Sequence, residues 1–138
     1  MITALDTNVL LDVLLGDREF ARASQVALRD CYDAGGLVAC EVVWAEVATF
    51  FPSLDLAEEA MGKLAVRFVP MERADALEAA VRWSRFRAQP GGRPRRIAAD
   101  FLIGAHALAH SDRLLTRDRG FYKAAFDGLE VLDPAKRL

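Results

Sequence analysis

Hydrophobic and polar positions along the chain predict strands and helices in alternation. Short apolar runs at 2–5, 37–40, 67–70, 113–116 and 130–132 have the length of buried strands. From Ala57 the apolar residues fall at 57, 60, 61, 64 and 65, the one-face spacing of an amphipathic helix, with Ser53 as a candidate N-cap. Further helices are predicted at 9–15, 18–34, 41–51, 72–88, 98–110 and 119–126.

Glycine and proline mark the breaks between these elements. Gly35 and Gly36 end the second helix, Pro52 ends the third, and the run at 89–94 predicts a loop because its prolines and glycines cannot continue a helix. Alternating strands and helices are typical of βαβ units, whose parallel sheet is covered by helices on both faces. We find no repeat, low-complexity tract or linker, and we expect a single domain over residues 1–138.

Composition narrows the class of protein. A chain of 138 residues with 53% hydrophobic residues has material for one well-buried core and no second domain. Two cysteines, Cys31 and Cys40, form neither a disulfide framework nor a zinc pattern. The sequence contains no charged leader and no apolar run near 18 residues, so we expect a cytoplasmic protein without a membrane partner. The net charge of -2 argues against binding nucleic acid through bulk positive charge.

Two acidic residues directly follow predicted strands. Asp6 and Asp118 stand at carboxyl ends of strands, where open α/β sheets form their ligand crevices. Each has a simpler interpretation as a turn or N-cap residue before the next helix. Thr116, at the end of its strand, has a hydroxyl that can reach a neighbouring carboxylate.

Two more acids interrupt apolar helical faces. Glu46 lies on an arc between Val42 and Phe50, where we expect water to reach it poorly. Asp100 belongs to a helix that is apolar nearly all round, and it shares a face with Gly104 and Ala107, whose small size is expected to leave room beside the carboxylate. The alternative is that Asp100 caps a helix beginning at residue 101.

These four acids carry more weight together than singly. If four ionised carboxylates converge at separations of ~5 Å, their mutual repulsion amounts to about 20 kcal/mol at an effective dielectric constant near 20. That exceeds the stability of a typical domain, so such a cluster must take up protons or bind cations. Oxygen ligands select hard ions, and we therefore expect Mg²⁺ or Mn²⁺ rather than zinc.

The sequence resembles a known family, the PIN-domain ribonucleases. The segments that carry the resemblance are DTN at 6–8, WAEV at 44–47, RIAAD at 96–100 and LLTRD at 114–118. More narrowly, the chain is similar to the VapC toxins of prokaryotic type II toxin–antitoxin systems, over essentially its full length. Arg117 occupies a variable position of the pattern, and the loop before Asp100 is longer than usual.

The resemblance implies a three-layer α/β/α sandwich with a central, mostly parallel sheet of four to five strands. It implies an RNA substrate, a cognate antitoxin partner and a homodimer. Asp6, Glu46, Asp100 and Asp118 would hold the Mg²⁺ or Mn²⁺, with Thr116 supporting the site and Asn8 as the polar residue after the first acid. Because no Ser-His-Asp or Cys-His pattern is present, a metal-activated water is the expected nucleophile. Glu46 is either a ligand through water or a group that orients and deprotonates the attacking water.

The roles of the arginines before Asp100, of the two histidines and of the whole domain each have alternative interpretations. Six arginines and no acid fall between 82 and 96, and Arg93, Arg95 and Arg96 are candidates to hold phosphates or simply belong to a solvated loop. His106 and His110 have i, i+4 spacing but lack the Glu of zinc peptidases, so we interpret them as packing or surface residues. The competing functions are a PIN-like protein that binds RNA or a partner without cutting, and a phosphotransfer protein with an acidic pocket.

Overall fold

The structure is a computed structural model in which residues 1–89 and 97–136 are described. Its strands are β1 (Ile2–Leu5), β2 (Gly36–Ala39), β3 (Val66–Phe68), β4 (Arg113–Leu115) and β5 (Val131–Leu132). Its helices are α1 (Thr7–Leu14), α2 (Ala21–Asp33), α3 (Glu41–Ala48), α4 (Leu54–Lys63), α5 (Arg73–Ala88), α6 (Ala98–His110) and α7 (Arg119–Ala125), followed by a 3-10 turn at Pro134–Lys136. None of the described helices has the length and apolarity needed to cross a bilayer.

The five strands form one sheet in the order β3-β2-β1-β4-β5, and every pairing is parallel. The predicted α/β architecture is confirmed, with a sheet that is wholly rather than mostly parallel. β1 lies at the centre, where Ala4 is paired with Val38 of β2 on one side and with Leu114 of β4 on the other. Because parallel strands need right-handed crossovers, the change of direction at β1 distributes the helices over both faces of the sheet.

Several predicted boundaries shift for local reasons. α1 begins at Thr7 rather than at residue 9, because Asp6 is extended and its side chain accepts the Thr7 N–H as an N-cap. α2 begins at Ala21 rather than at residue 18, since the Asp17 carboxylate holds the N–H groups of Glu19 and Phe20 in a turn. Ser53 caps α4 as predicted. The predicted loop at 89–94 lies outside the described residues beyond residue 89.

An aromatic cluster joins α5, α6 and α7 on one face of the sheet. Phe101 of α6 is fully buried and stacks on Trp83 of α5 at 5.5 Å between ring centroids. Phe121 of α7 meets the Phe101 ring edge-on at 5.3 Å, and Phe126 lies at 6.3 Å. Aromatic pairs at these separations add to the apolar burial. The cluster therefore fixes the helix that carries Asp100 against the helix that follows Asp118.

The expected space beside Gly104 is filled, so that prediction is wrong. A Cβ built at Gly104 would overlap the ring of Phe126, which packs directly against this glycine. We expect Gly104→Ala to lower the free energy of unfolding by about 1–3 kcal/mol, although alanine is the better helix former. Gly62→Ala, in α4 with nothing near its Cβ, is the matched control and should raise stability by up to ~1 kcal/mol. Urea denaturation of both variants measures the difference, and equal effects would contradict the packing argument.

Candidate metal centre and its family

The carboxyl ends of β1 and β4 meet at one edge of the sheet. The Asp6 N–H donates to the Leu115 carbonyl at 3.0 Å, which extends the β1–β4 ladder by one residue into the site. This is the point where the strand order changes direction, and ligand crevices of open α/β sheets form there. Asp6 and Thr116 lie side by side at this edge, in hydrogen-bond contact.

The Thr116 hydroxyl is the centre of the hydrogen bonds at this edge. It donates to Asp6 Oδ2 at 2.7 Å and accepts the Asp118 N–H at 2.9 Å. Asn8 Nδ2 approaches the same hydroxyl at 3.4 Å and Asp6 Oδ2 at 3.5 Å. Because a hydroxyl has one hydrogen and two lone pairs, these contacts fix the direction of each bond. Asp6 is therefore an acceptor at Oδ2, and the Thr116 hydroxyl links this oxygen to the backbone N–H of Asp118.

Asp6 is both a helix cap and a perturbed acid. Its Oδ1 accepts the Thr7 N–H at 2.7 Å, so the interpretation as an N-cap is confirmed. Burial raises the pKa of Asp6 from 3.8 to about 6, against the opposing effect of the bonds from Thr116 and Thr7. The charges of Asp100 and Glu46 raise it further, so both carboxylates lie close enough to Asp6 to interact with it.

Glu46 is held toward Asp6 by a threonine. The Thr7 hydroxyl of α1 donates to Glu46 Oε1 of α3 at 2.6 Å. Glu46 is partly exposed, so water reaches it more easily than the sequence predicts. Its helix, α3, ends two residues later, at Ala48. Thr7 belongs to the DTN segment, but nothing in the sequence pairs it with residue 46.

Asp100 lies in the first turn of α6, which begins at Ala98 with Ile97 as its N-cap residue. The alternative that Asp100 caps a helix beginning at residue 101 is therefore wrong. Asp118 occupies the N-cap position of α7 but makes no capping bond with its side chain. Asp100 and Asp118 are both partly exposed, and the charges of both act on the buried hydroxyl of Tyr122 and raise its pKa.

The sequence matches the model of the PIN-domain family over residues 3–127. The chain belongs to the PIN-domain family. Membership in this family of nucleases supports an activity on nucleic acid in general terms, and it places the acids at the β1–β4 edge in the part of the chain that the family shares. No curated protein sequence matches the chain.

Solved structures confirm this PIN fold. The chain is similar to FitAB bound to the IR36 DNA fragment, with 25% identity, TM-score 0.74 and coverage of 100% of this chain and 98% of that one. It is similar to VapBC-1 from nontypeable Haemophilus influenzae, with 21% identity, TM-score 0.74 and coverage of 99% and 100%. It is also similar to FitAcB from Neisseria gonorrhoeae, with 23% identity, TM-score 0.70 and coverage of 99% and 100%.

The PIN domain contains an ion pair that sequence reasoning missed. Arg117 donates from Nε to Asp12 Oδ2 at 2.7 Å and from Nη2 to Asp12 Oδ1 at 3.0 Å, and Asp12 also accepts the Ser24 hydroxyl at 2.7 Å. The guanidinium lies 3.9 Å from the centre of the Phe20 ring. The Arg117 N–H donates to Asn8 Oδ1 at 3.2 Å. A residue at a variable family position thus anchors the segment between Thr116 and Asp118 to α1 and α2.

The two histidines have packing roles, as the sequence indicates. His106 is buried with Nε2 at 2.8 Å from the Val69 carbonyl, and His110 Nε2 lies 2.6 Å from Asp75 Oδ2, so both have packing contacts of their own. Arg93, Arg95 and Arg96 lie outside the described residues, and their contact with phosphates stays a prediction.

The donors around Asp6 fit a hard cation in kind. They are carboxylate oxygens, with Asn8 and Thr116 beside them, and such ligands suit Mg²⁺ or Mn²⁺. Burial and the charges of Asp100 and Glu46 make an ionised Asp6 unfavourable in the fold, and a bound cation would offset that cost. Over residues 1–89 and 97–136, however, no three acidic, His or Cys side chains already stand close enough to enclose an ion.

Proposed function

We propose that this PIN domain, over residues 1–138, is a metal-dependent endoribonuclease of the VapC type, a toxin inhibited by a cognate antitoxin. The observation that carries the proposal is the buried Asp6 carboxylate, which faces Asp100 and Glu46 at the carboxyl edge of the central strand. A buried acid with like charges around it is costly to the fold, and a divalent cation is the simplest compensation.

Asp6, Asp100 and Asp118 would hold the Mg²⁺ or Mn²⁺, and Glu46 would complete the set. The bound ion would supply a water of lowered pKa and stabilise charge on the phosphate oxygens. Thr116 holds Asp6 in place with one hydrogen bond and the Asp118 backbone with another. Asn8 approaches both Asp6 and Thr116, which orients its amide toward the site.

Glu46 is the residue that can move a proton. Its Oε1 accepts a hydrogen bond from the Thr7 hydroxyl, whereas none of the described residues donates a comparable hydrogen bond to its Oε2. The side chain is partly exposed, so water reaches it. We propose that it orients the attacking water and accepts its proton, either directly or through a second water.

The proposed partner is an antitoxin, as in the complexes to which the chain is similar. An apolar groove of about 360 Å³ between α1 and α4 supports a protein partner; it is lined by Leu14, Phe51, Leu56, Ala60 and Leu64, with Glu59 and Lys63 at its edge. Apolar grooves bordered by charges suit an amphipathic helix. A homodimer is proposed from the family resemblance alone.

Metal-dependent cleavage of labelled RNA tests the proposal directly. We expect cleavage in Mg²⁺ or Mn²⁺ and its loss when a chelator is added. Cleavage by Asp100→Asn should fall by at least ~100-fold. Mutating residues that only hydrogen-bond to metal ligands costs about 10–100-fold, and removing a ligand should cost more. Asp55→Asn, an exposed acid in the first turn of α4, is the matched control and should cut normally.

The outcomes separate the candidate functions. RNA binding without cutting in any divalent ion would favour the non-catalytic PIN-like protein. Full activity of Asp100→Asn would show that Asp100 is not needed as a metal ligand. Mapping cleavage ends on total cellular RNA after brief expression, with Asp100→Asn as the inactive control, would identify the substrate.

A further inference from the structure

Tyr122 on α7 is buried with its hydroxyl unpaired. The residue has 0% exposure, and among the described residues its hydroxyl is the one buried side-chain polar atom without a hydrogen-bond partner. Leaving such a group unpaired destabilises the folded protein, and buried polar groups are nearly always paired. A phenylalanine would fill the same volume without this cost, so the hydroxyl needs a reason outside simple packing.

The hydroxyl faces the acids of the proposed metal centre. Burial above all raises the pKa of Tyr122 far above its usual range, and the charges of Asp6, Asp100 and Asp118 raise it further. The phenol is therefore neutral at any physiological pH and is available as a donor. Asp6 is near enough to interact with it, but the geometry of the two groups falls short of a hydrogen bond.

The surrounding structure holds the ring in this position. Tyr122 follows Asp118 by four residues, one helical turn, and its N–H donates to the Asp118 carbonyl at 3.4 Å. The Phe121 ring meets it edge-on at 4.9 Å, and the Phe126 ring lies at 6.0 Å. These rings leave the hydroxyl little freedom to turn toward another partner.

Asp6 has acceptor capacity to spare. Its Oδ1 accepts from the Thr7 N–H, and its Oδ2 accepts from the Thr116 hydroxyl and, at 3.5 Å, from Asn8 Nδ2. An ionised carboxylate offers about four lone-pair positions, so roughly one remains, and the long Asn8 contact leaves a second open to a stronger interaction. These positions suit a cation and a further donor, and Tyr122 has an unpaired donor close enough to interact with this carboxylate.

We propose that Tyr122 is a positioning residue of the metal centre, whose hydroxyl donates to the Asp6 carboxylate once a divalent cation occupies the site. The inference rests on the proposed metal-dependent function and deepens it. Tyr122 does not touch the substrate. In the ion-loaded protein the new hydrogen bond removes the cost of the unpaired hydroxyl and holds the Asp6 oxygens toward the ion, so metal binding and ordering of the site become one event.

Fluorine NMR on the intact chain tests this without relying on activity. The chain has two tyrosines, so incorporation of 3-fluorotyrosine gives two resonances, and Tyr32→Phe assigns them. Tyr32 is exposed on α2 and serves as the internal control. On titration with Mg²⁺ we expect the Tyr122 resonance to shift saturably and the Tyr32 resonance to stay in place. A Tyr122 resonance that does not move while the protein binds Mg²⁺ would overturn the inference.

Calorimetric titration with Mn²⁺ gives the second readout. We expect Tyr122→Phe to bind Mn²⁺ about 10–100-fold more weakly than the unmodified chain, whereas Tyr32→Phe should bind equally well. Metal-free Tyr122→Phe should be at least as stable to urea, because it loses an unpaired hydroxyl. Unchanged Mn²⁺ affinity in Tyr122→Phe would refute its role and leave the proposed nuclease intact. A wild-type chain that binds neither ion would overturn both proposals.

Discussion

Asp6→Asn is expected to abolish metal-dependent cleavage and, at the same time, to stabilise the metal-free protein above pH 6. A pKa raised from 3.8 to about 6 means that ionising Asp6 costs the folded protein about 3 kcal/mol. The folded state prefers the protonated acid, so the contribution of Asp6 to stability is present below pH 4 and is lost as the pH rises through 6. Asparagine carries no charge to desolvate.

Two measurements check this prediction. Urea denaturation with a chelator present should show Asp6→Asn more stable than wild type by about 1–3 kcal/mol at pH 8, and the difference should vanish near pH 4. RNA cleavage should fall by at least ~100-fold. Asp17→Asn is the matched control, because Asp17 also accepts backbone N–H groups but lies exposed. An Asp6→Asn variant that is less stable at pH 8 would show that the lost hydrogen bonds outweigh the removed charge.

Arg117→Ala is expected to lower the free energy of unfolding by about 3–5 kcal/mol. The side chain of Asp12 is 3% exposed, and without Arg117 its charge keeps, among the described residues, only the Ser24 hydroxyl as a side-chain partner. Lys63→Ala provides the contrast, since the Lys63–Glu59 pair has side chains that are 75% and 57% exposed. Exposed pairs contribute roughly 0–1 kcal/mol.

A double-mutant cycle separates the pair from its surroundings. Asp12→Ala combined with Arg117→Ala should be more stable than Arg117→Ala alone, because the buried charge is gone. Urea denaturation at pH 7 measures all four proteins. A loss below ~1 kcal/mol in Arg117→Ala would mean that water reaches Asp12 freely, contrary to its burial.

The candidate site residues that the sequence indicates are those whose positions are unusual in their own element. Asp6 follows a buried strand, and Asp100 is the acid in an otherwise apolar helix, so both are visible without tertiary structure. The alternation of elements likewise predicted a parallel sheet, because parallel strands need helical crossovers. Boundaries such as the start of α1 at Thr7 depended on one capping contact.

Residues that act through distant partners were beyond sequence reasoning. Arg117 and Asp12 are 105 positions apart and meet only because β1 pairs with β4. Tyr122 follows a phenylalanine in a short helix, a pattern typical of packing, and the environment of its hydroxyl depends on three elements at once. Gly104 misled the sequence prediction for a related reason. A small residue in a sequence indicates open space beside it, but here the Phe126 ring fills that space.

The central place of β1 has a consequence for how the protein is made. β1 emerges first, but its partner β4 and the residues Thr116 and Asp118 come from the last quarter of the chain. Pairing across more than a hundred residues waits until both strands have left the ribosome. A nascent chain is therefore expected to carry no working site, so that a nuclease of this fold spares the messenger and the ribosome that are still producing it.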